Sequence, residues 1–434
     1  MTGASHPSRA EIVSGQLEGI RSLLAELFPA NRFYADKLAA VGITFDVASL
    51  ADYSRRFPFT TKAELVADQL AHPPFGTNLT QPLSGYHRFH QTSGTSGTPL
   101  RWLDTPESWQ GLVESWAEIY RAAGVTASDR VYFAFSFGPF IGFWLAFEAA
   151  SQLGALCLPG GGLGSAARLR AIIDNRATVL CCTPTYALRL AEVAAAENID
   201  LQASHVHTVI VAGEPGGSVP ATRARWAELW PGARMFDHHG MTEVGPVTYE
   251  CPARPGVLHV IESAYFAEVV DPAQDRPVAP GAIGELVLTS FGRVASPLLR
   301  YRTGDLVQAE LHPLGSPPCD CGRHELALLG GILGRTDDMV VVRGVNIYPG
   351  AVEETIRAHP GVAEYRVTLD RAHALTEMSV ELEPAPDCAD PTALAEHVRH
   401  DFQANFALRV PITLVPPGTL PRFEMKARRW IRRQ

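Results

Sequence analysis

Lysine is nearly missing from this chain: Lys37, Lys62 and Lys426 are the only three, and arginine supplies the rest of the 37 basic residues. That scarcity makes the position of each lysine informative. An excess of positive charge is missing too, since 46 acidic residues leave a net charge of −9. Generic nucleic-acid binding, which needs a basic surface, is thereby disfavoured. No apolar run reaches the roughly 20 residues of a membrane-spanning helix. The most apolar stretch, Val131 to Phe147, is shorter and is interrupted by Gly138-Pro139. It predicts a buried strand, a turn and a core helix, with no membrane partner. The segment Met1 to Gln16 is polar and lacks the apolar centre of a secretory signal. Seven cysteines, scattered and odd in number, do not make a secreted disulfide framework, so a cytoplasmic location is expected. What the chain does have is 46 % hydrophobic and 19 % charged residues over 434 positions, the composition of a globular protein of two or three domains.

Apolar spacing predicts helix from Arg9 to Ala40, divided in two at Pro29. Further on, short apolar runs alternate with amphipathic stretches. Val131 to Phe135 leads into a helix ending at Leu153, Thr178 to Cys182 into one over Tyr186 to Glu197, and Val206 to Ala212 into one over Ala221 to Leu229. This alternation predicts an α/β architecture whose strand-end loops carry ligands. From Leu258 to Val307 short strands with Gly and Pro turns predict a β-rich subdomain. Beyond Gly334 strands are expected at Val340 to Arg343, Glu364 to Leu369 and Met378 to Leu382, with helices at Val352 to Ala358 and Pro391 to Ala404. The fold class expected is α/β: a large multi-subdomain N-terminal domain, residues 1–334, and a small mobile α+β C-terminal domain, residues 335–434.

Several short segments carry chemistry. Gln91-Thr-Ser-Gly-Thr-Ser-Gly-Thr-Pro99 combines glycines, which let the backbone approach a ligand, with hydroxyls suited to phosphate oxygens. It lacks the Gly-Lys-Ser/Thr of a Walker A loop, and a flexible linker has the same composition. His238-His-Gly-Met-Thr-Glu243 follows an apolar run; its imidazoles, hydroxyl and carboxylate suit a base, a phosphate and Mg²⁺, or a merely structural histidine pair. Tyr301-Arg-Thr-Gly-Asp305 sets a carboxylate past a glycine turn, able to accept two ribose hydroxyls or to cap its own turn. Gly334-Arg-Thr-Asp-Asp338 joins a cation to two acids at the expected domain boundary.

The set and order of these segments resembles the adenylate-forming superfamily of acyl- and aryl-CoA synthetases, adenylation domains and luciferases, and within it the phenylacetate–CoA ligase-like branch. The resemblance runs from Phe57-Pro-Phe nearly to the end of the chain. It implies that Thr92, Ser93, Gly94, Thr95, Ser96 and Gly97 grip the β- and γ-phosphates of ATP. Gly213, Glu214 and Pro215 match the turn beside the adenine, and His239 falls where an aromatic residue usually stacks on it. Thr242 and Glu243 match contacts to phosphate and Mg²⁺, Asp305 the ribose ligand, Arg335 the arginine near the ribose, and Asp337 the hinge. Pro421-Arg-Phe-Glu-Met-Lys426 resembles the segment bearing the adenylation lysine, with Met425 in place of the usual glycine. A lone lysine in an arginine-rich tail fits a need for a compact ammonium. Gly344 would leave room for the pantetheine arm of CoA.

Cys251, His259, Cys319 and Cys321 form the ligand set of a structural zinc, with His324 as an alternative to His259; relatives in the branch carry a similar cluster. Phe135, Phe137, Phe140, Ala212, His238 and Gly240 are candidates for the acid pocket, and aromatic beside small residues suits a flat ring. His238 is placed to recognise an amino or hydroxy substituent. The same phenylalanines are equally consistent with plain core filling. The expected activity is ATP-dependent activation of a small aromatic acid to an acyl-adenylate, followed by transfer to CoA. A carrier-protein thiol or an amine is the alternative acceptor, and a homodimer is a family-level expectation.

Overall fold

The structure is a computed structural model that describes residues 6–28, 30–43, 45–92, 98–214, 216–343, 345–370, 376–423 and 427–433. Two helices, Arg9–Leu27 and Arg32–Ala39, open the chain where the apolar spacing placed them, capped by Ser8 and Asn31. Their apolar faces, with Tyr53 and Phe57, form a small core of their own against Leu299.

The centre is a five-stranded parallel sheet in the order Leu156–Pro159, Arg130–Phe133, Val179–Cys182, Thr208–Val211, Arg234–Asp237. Cys181 and Cys182 lie in it as core residues, as expected. The middle strand, Val179–Cys182, is apolar throughout because helices cover both faces. One face packs on the helix Pro106–Ala123 and the other on Pro184–Ala196. Both helices begin with the same local grammar, a threonine cap, Thr105 or Thr183, followed by proline in the first turn. The first ends on Gly124 in the left-handed conformation.

An antiparallel sheet of seven strands adjoins this layer, with Tyr301–Glu310 pairing Ile283–Ser290 on one side and Ala327–Leu329 on the other. The two-residue strand Gly334–Arg335 also pairs with Tyr301–Glu310, setting Arg335 opposite Asp305. The C-terminal part holds a four-stranded sheet, Ile412–Leu414, Glu377–Pro384, Val362–Asp370 and Trp430–Arg433, covered by the helices Pro349–Arg357 and Pro391–Phe406 around a separate apolar core. No helix among the described residues is long and apolar enough to cross a membrane.

Candidate active site

The expected site segments gather where the parallel strands end. Phe133, Val211 and Asp237 are the last residues of three strands of the parallel sheet, the first separated from the other two by Val179–Cys182, and all three ends lie on one edge of it. In front of it stands the hairpin Arg88–Gln91 with Arg101–Asp104, whose tip is the Gly/Ser/Thr loop. At its base Thr92 and Leu100 are tied twice, Thr92 N to Leu100 O at 3.0 Å and Leu100 N to Thr92 Oγ1 at 3.0 Å. Ser93, Gly94, Thr95, Ser96 and Gly97 lie outside the described residues, as do Pro215, Gly344 and Lys426.

Glu243 is buried beyond the strand Gly240–Met241, and its Oε1 lies 3.4 Å from both the Tyr301 hydroxyl and Lys62 Nζ. Sequence reasoning singled out Lys62 only by rarity and gave it no role; the Thr61–Glu64 capping box puts it at the start of a helix facing Glu243. The main-chain carbonyls of Thr242 and Glu243 both accept from Arg293, at 2.6 and 3.0 Å, a residue sequence reasoning missed altogether.

His239 points its Nε2 at Asp305 Oδ2, 3.1 Å away. Asp305 Oδ1 accepts from Arg335 Nη1 at 2.9 Å, and Arg335 in turn forks onto Asp337 at 2.8 and 3.1 Å. Burial pushes the Asp305 carboxyl upward, but His239 and Arg335 outweigh it and hold it below the usual range. The turn before Asp305 requires glycine: Gly304 has φ +79°, and a Cβ there would stand 2.8 Å from Arg335 Nη2. Behind His239, the Asp237 carboxyl is pushed up to about 7 by burial, with nearby Glu250 adding to the effect against a hydrogen bond from Ser218.

Gly213 and Glu214 follow the strand Thr208–Val211, and Glu214 joins two parts of the chain. Its Oε1 accepts from Thr185 N at 2.9 Å, while its Oε2 accepts from Ala427 N at 2.8 Å, the residue after Lys426. Arg422 and Arg429 add contacts from the same C-terminal segment to Glu192 and Thr185, at 3.3 and 3.5 Å.

Among the pocket candidates, Phe135 stacks on Phe143 with centroids 4.2 Å apart and meets Phe137 edge-on at 5.8 Å, while Phe140 meets Phe143 at 5.9 Å. Phe143 belongs to the helix Ile141–Leu153, which packs on the strand Gly240–Met241. Ala212 is half-buried at its strand end, and His238 is buried edge-on to Trp116 at 4.5 Å. Burial drives the His238 imidazole down to about 3, so it is neutral, and its Nδ1 has no protein partner.

In and beside the antiparallel sheet, Cys251, His259, Cys319 and Cys321 bring their ligand atoms within 4.8 Å of one another. Cys251 Sγ to Cys319 Sγ is 3.7 Å and Cys321 Sγ to His259 Nε2 is 3.4 Å. Ligand bonds of about 2.3 Å to sulfur in a tetrahedron give edges of about 3.8 Å, so the donor set fits a tetrahedral metal. His259 Nδ1 faces Glu325 O at 3.3 Å, which turns Nε2 toward the cluster. His259, not His324, supplies the imidazole.

The family model described as AMP-binding enzyme matches residues 90–294, and AMP-binding enzyme C-terminal domain matches 344–434. A phenylacetate-coenzyme A ligase of Thermus thermophilus is 30% identical over 436 residues, 96% of this chain and 95% of that protein. A crystal structure of 2-hydroxyisobutyryl-CoA ligase in the postadenylation state with 2-HIB-AMP superposes with a TM-score of 0.92 at 28% identity, covering 99% of this chain and 91% of that one. The same ligase in the thioesterification state, with 2-HIB-AMP and CoA, gives 0.73 at 30% identity and the same coverage. The chain thus superposes better on the postadenylation form of that ligase than on its thioesterification form. Domain matches, full-length similarity and shared architecture agree, and the chain belongs to the phenylacetate–CoA ligase-like branch of the AMP-binding, adenylate-forming enzymes, acid–thiol ligases that use ATP and CoA.

Proposed function

We propose that this ligase activates a small aromatic carboxylic acid, aryl or arylacetic, and delivers it to CoA. The observation that carries the reading is the cluster of Phe135, Phe137, Phe140 and Phe143, whose rings pack on one another, with Phe143 on the helix that meets the strand Gly240–Met241; aromatic surface of this kind suits a flat ring. A second reading, a small hydroxy acid, draws on the unpartnered Nδ1 of buried, neutral His238, which a substrate hydroxyl would satisfy.

In the first step a carboxylate oxygen attacks the α-phosphorus of ATP, the bond to the β-phosphate breaks and pyrophosphate leaves. Thr92 to Gly97 hold the β- and γ-phosphates, Thr242 a phosphate oxygen, Gly213 to Pro215 and His239 the adenine edge, and Asp305 and Arg335 the ribose. Mg²⁺ on Glu243 would offset charge on the departing pyrophosphate. Lys426 neutralises charge developing between the carboxylate and the phosphate. The contact of Ala427 N with Glu214 supports a lysine-in arrangement.

Residues 335–434 then turn about Asp337 as a lid on the body, residues 1–334, withdrawing Lys426. The hairpin Val340–Val342 with Val345–Ile347 takes its place, with Gly344 clearing the pantetheine arm. The thiol attacks the acyl carbon and AMP leaves. Zinc on Cys251, His259, Cys319 and Cys321 would tie the β-rich subdomain together without taking part.

Pyrophosphate release with ATP and Mg²⁺ is measured across aryl, arylacetic and short hydroxy acids, with and without CoA. Aryl acids leading, with an aryl-CoA formed when CoA is present, supports the reading. Preference for hydroxyisobutyrate moves it to the second, and release without a CoA adduct moves the acceptor to a carrier-protein thiol or an amine.

A further inference from the structure

Arg293 follows Phe291-Gly292 at the end of a strand of the antiparallel sheet, and it is among the largest fully buried side chains of the molecule. Its partner Asp104 has no exposed surface at all. The guanidinium forks onto the carboxylate, Nε to Oδ1 and Nη2 to Oδ2, both at 2.6 Å. Its remaining nitrogen, Nη1, donates to Thr242 O at 2.6 Å and to Glu243 O at 3.0 Å. Burial raises the Asp104 carboxyl, yet Arg293 and His90 outweigh it and keep it ionised.

Burying a charge pair completely is seldom the cheapest way to fill a core, because desolvation cancels much of the attraction. An arginine whose planar fork reaches both a carboxylate and two carbonyls instead fixes the distance between the elements that carry them. Asp104 ends the strand leading out of the Gly/Ser/Thr loop, while Thr242 and Glu243 form the turn after Gly240–Met241. Neighbouring ties run the same way: Ser296 Oγ donates to Leu103 O at 2.8 Å and Ala295 N to Ser108 Oγ at 3.4 Å. His90 closes the far side, stacked on Trp109 at 5.1 Å with its Nδ1 3.9 Å from Asp104. Arg293 thereby fixes the turn that carries the Glu243 carboxylate against the strand Arg101–Asp104, and Mg²⁺ on Glu243 would be held where that turn is held.

We propose that Arg293 and Asp104 are positioning residues that hold the Glu243 turn at a fixed distance from the strand Arg101–Asp104 and so set the affinity for ATP with its metal. The inference rests on the reading of Glu243 as the Mg²⁺ ligand.

ATP binding to the full chain is measured by isothermal titration, with Mg²⁺ and in EDTA, for Arg293→Lys, Asp104→Asn and Glu243→Gln. Lysine keeps the charge without the fork, and asparagine keeps the shape without the charge. Both variants are expected to bind ATP about tenfold more weakly with Mg²⁺ and within about twofold of the parent in EDTA. A merely structural pair would lower the melting temperature and leave that ratio unmoved. Unmoved ratios in the two variants beside a shifted Glu243→Gln overturn the proposal alone. An unmoved Glu243→Gln overturns the underlying reading of Glu243, and the proposal with it. If neither Arg293→Lys nor Asp104→Asn folds, the pair is a folding element and the proposal falls.

Discussion

Cys251, Cys319, Cys321 and His259 turn their ligand atoms inward on one point, whereas His239, Asp305, Arg335 and Asp337 form an open line across the join to the C-terminal part. The first group converges, and His259 has its second nitrogen turned to a main-chain carbonyl. In the second group Arg335 pairs with Asp305 and Asp337, while His239 Nε2 and Asp305 Oδ2 face each other without either being in a hydrogen bond. A convergent donor set with fixed outer contacts is built to stay as it is. Charges that pair among themselves at the rim of a crevice hold places that a ligand takes over, at the cost of the bonds they give up. The contrast is between a closed donor set and an open chain of charged groups.

The comparison breaks first at the cluster. Cys319→Ser should abolish one bound zinc per chain, read by emission spectrometry, and lower stability on the order of 3 kcal/mol or more in thermal melts. Pyrophosphate release per folded molecule should change less than about twofold, since no cluster residue reaches the crevice. Purified enzyme without zinc, melting as Cys319→Ser does, would falsify the structural assignment.

At the working end, Lys426→Ala should cut acid-dependent pyrophosphate release by about 10²–10³-fold, the usual loss for a transition-state charge contact. ATP affinity and melting temperature should stay near those of the parent. A variant that releases pyrophosphate normally would show that the arginine-rich tail supplies the charge by another residue.

These two outcomes bear on regions that were unequally legible in the sequence. The parallel strands showed as apolar runs because helices bury both faces, whereas the helix Pro106–Ala123 was missed, although the Thr-Pro pair at Thr105, like that at Thr183, marks a helix start. Cys251, Cys319 and Cys321 stood out because cysteine is rare and its spacing constrained. Hidden from view was pairing between distant segments. Asp305 and Arg335 are 30 positions apart and meet because two strands align them. Arg293 lies 189 positions from Asp104, and nothing local marks it among 37 basic residues. Rarity made Lys62 visible, but its nearness to Glu243 needed the fold. The strand-end clustering of motifs was foreseeable; which partner each charge takes in the resting enzyme was not.

Within the open line itself, Asp305→Asn should weaken ATP binding about tenfold, the loss expected when a charged acceptor of ribose hydroxyls becomes an amide. ITC with MgATP reads the effect directly. An unchanged dissociation constant would assign Asp305 to the join between the two parts and not to the nucleotide.

The smallest effect separates the two buried aspartates of the crevice by the sign of their pH dependence. Asp237 has its carboxyl pushed up to about 7, so between about pH 4 and 7 it holds a proton in the fold and loses it on unfolding. Stability therefore falls as pH rises through that window, and Asp237→Asn, neutral throughout, should gain on the parent by on the order of 2 kcal/mol between pH 4 and 7. Asp305, held low by His239 and Arg335, is charged in both states across the same window. Its contribution is full above the ordinary aspartate range and is lost only as pH falls through the lower value of the fold. The melting difference between the parent and Asp305→Asn should thus be flat from pH 4 to 7 and shrink below that. Parallel curves for both variants would mean that Asp237 is charged in the fold across that window, and that the two carboxylates differ in partners without differing in charge.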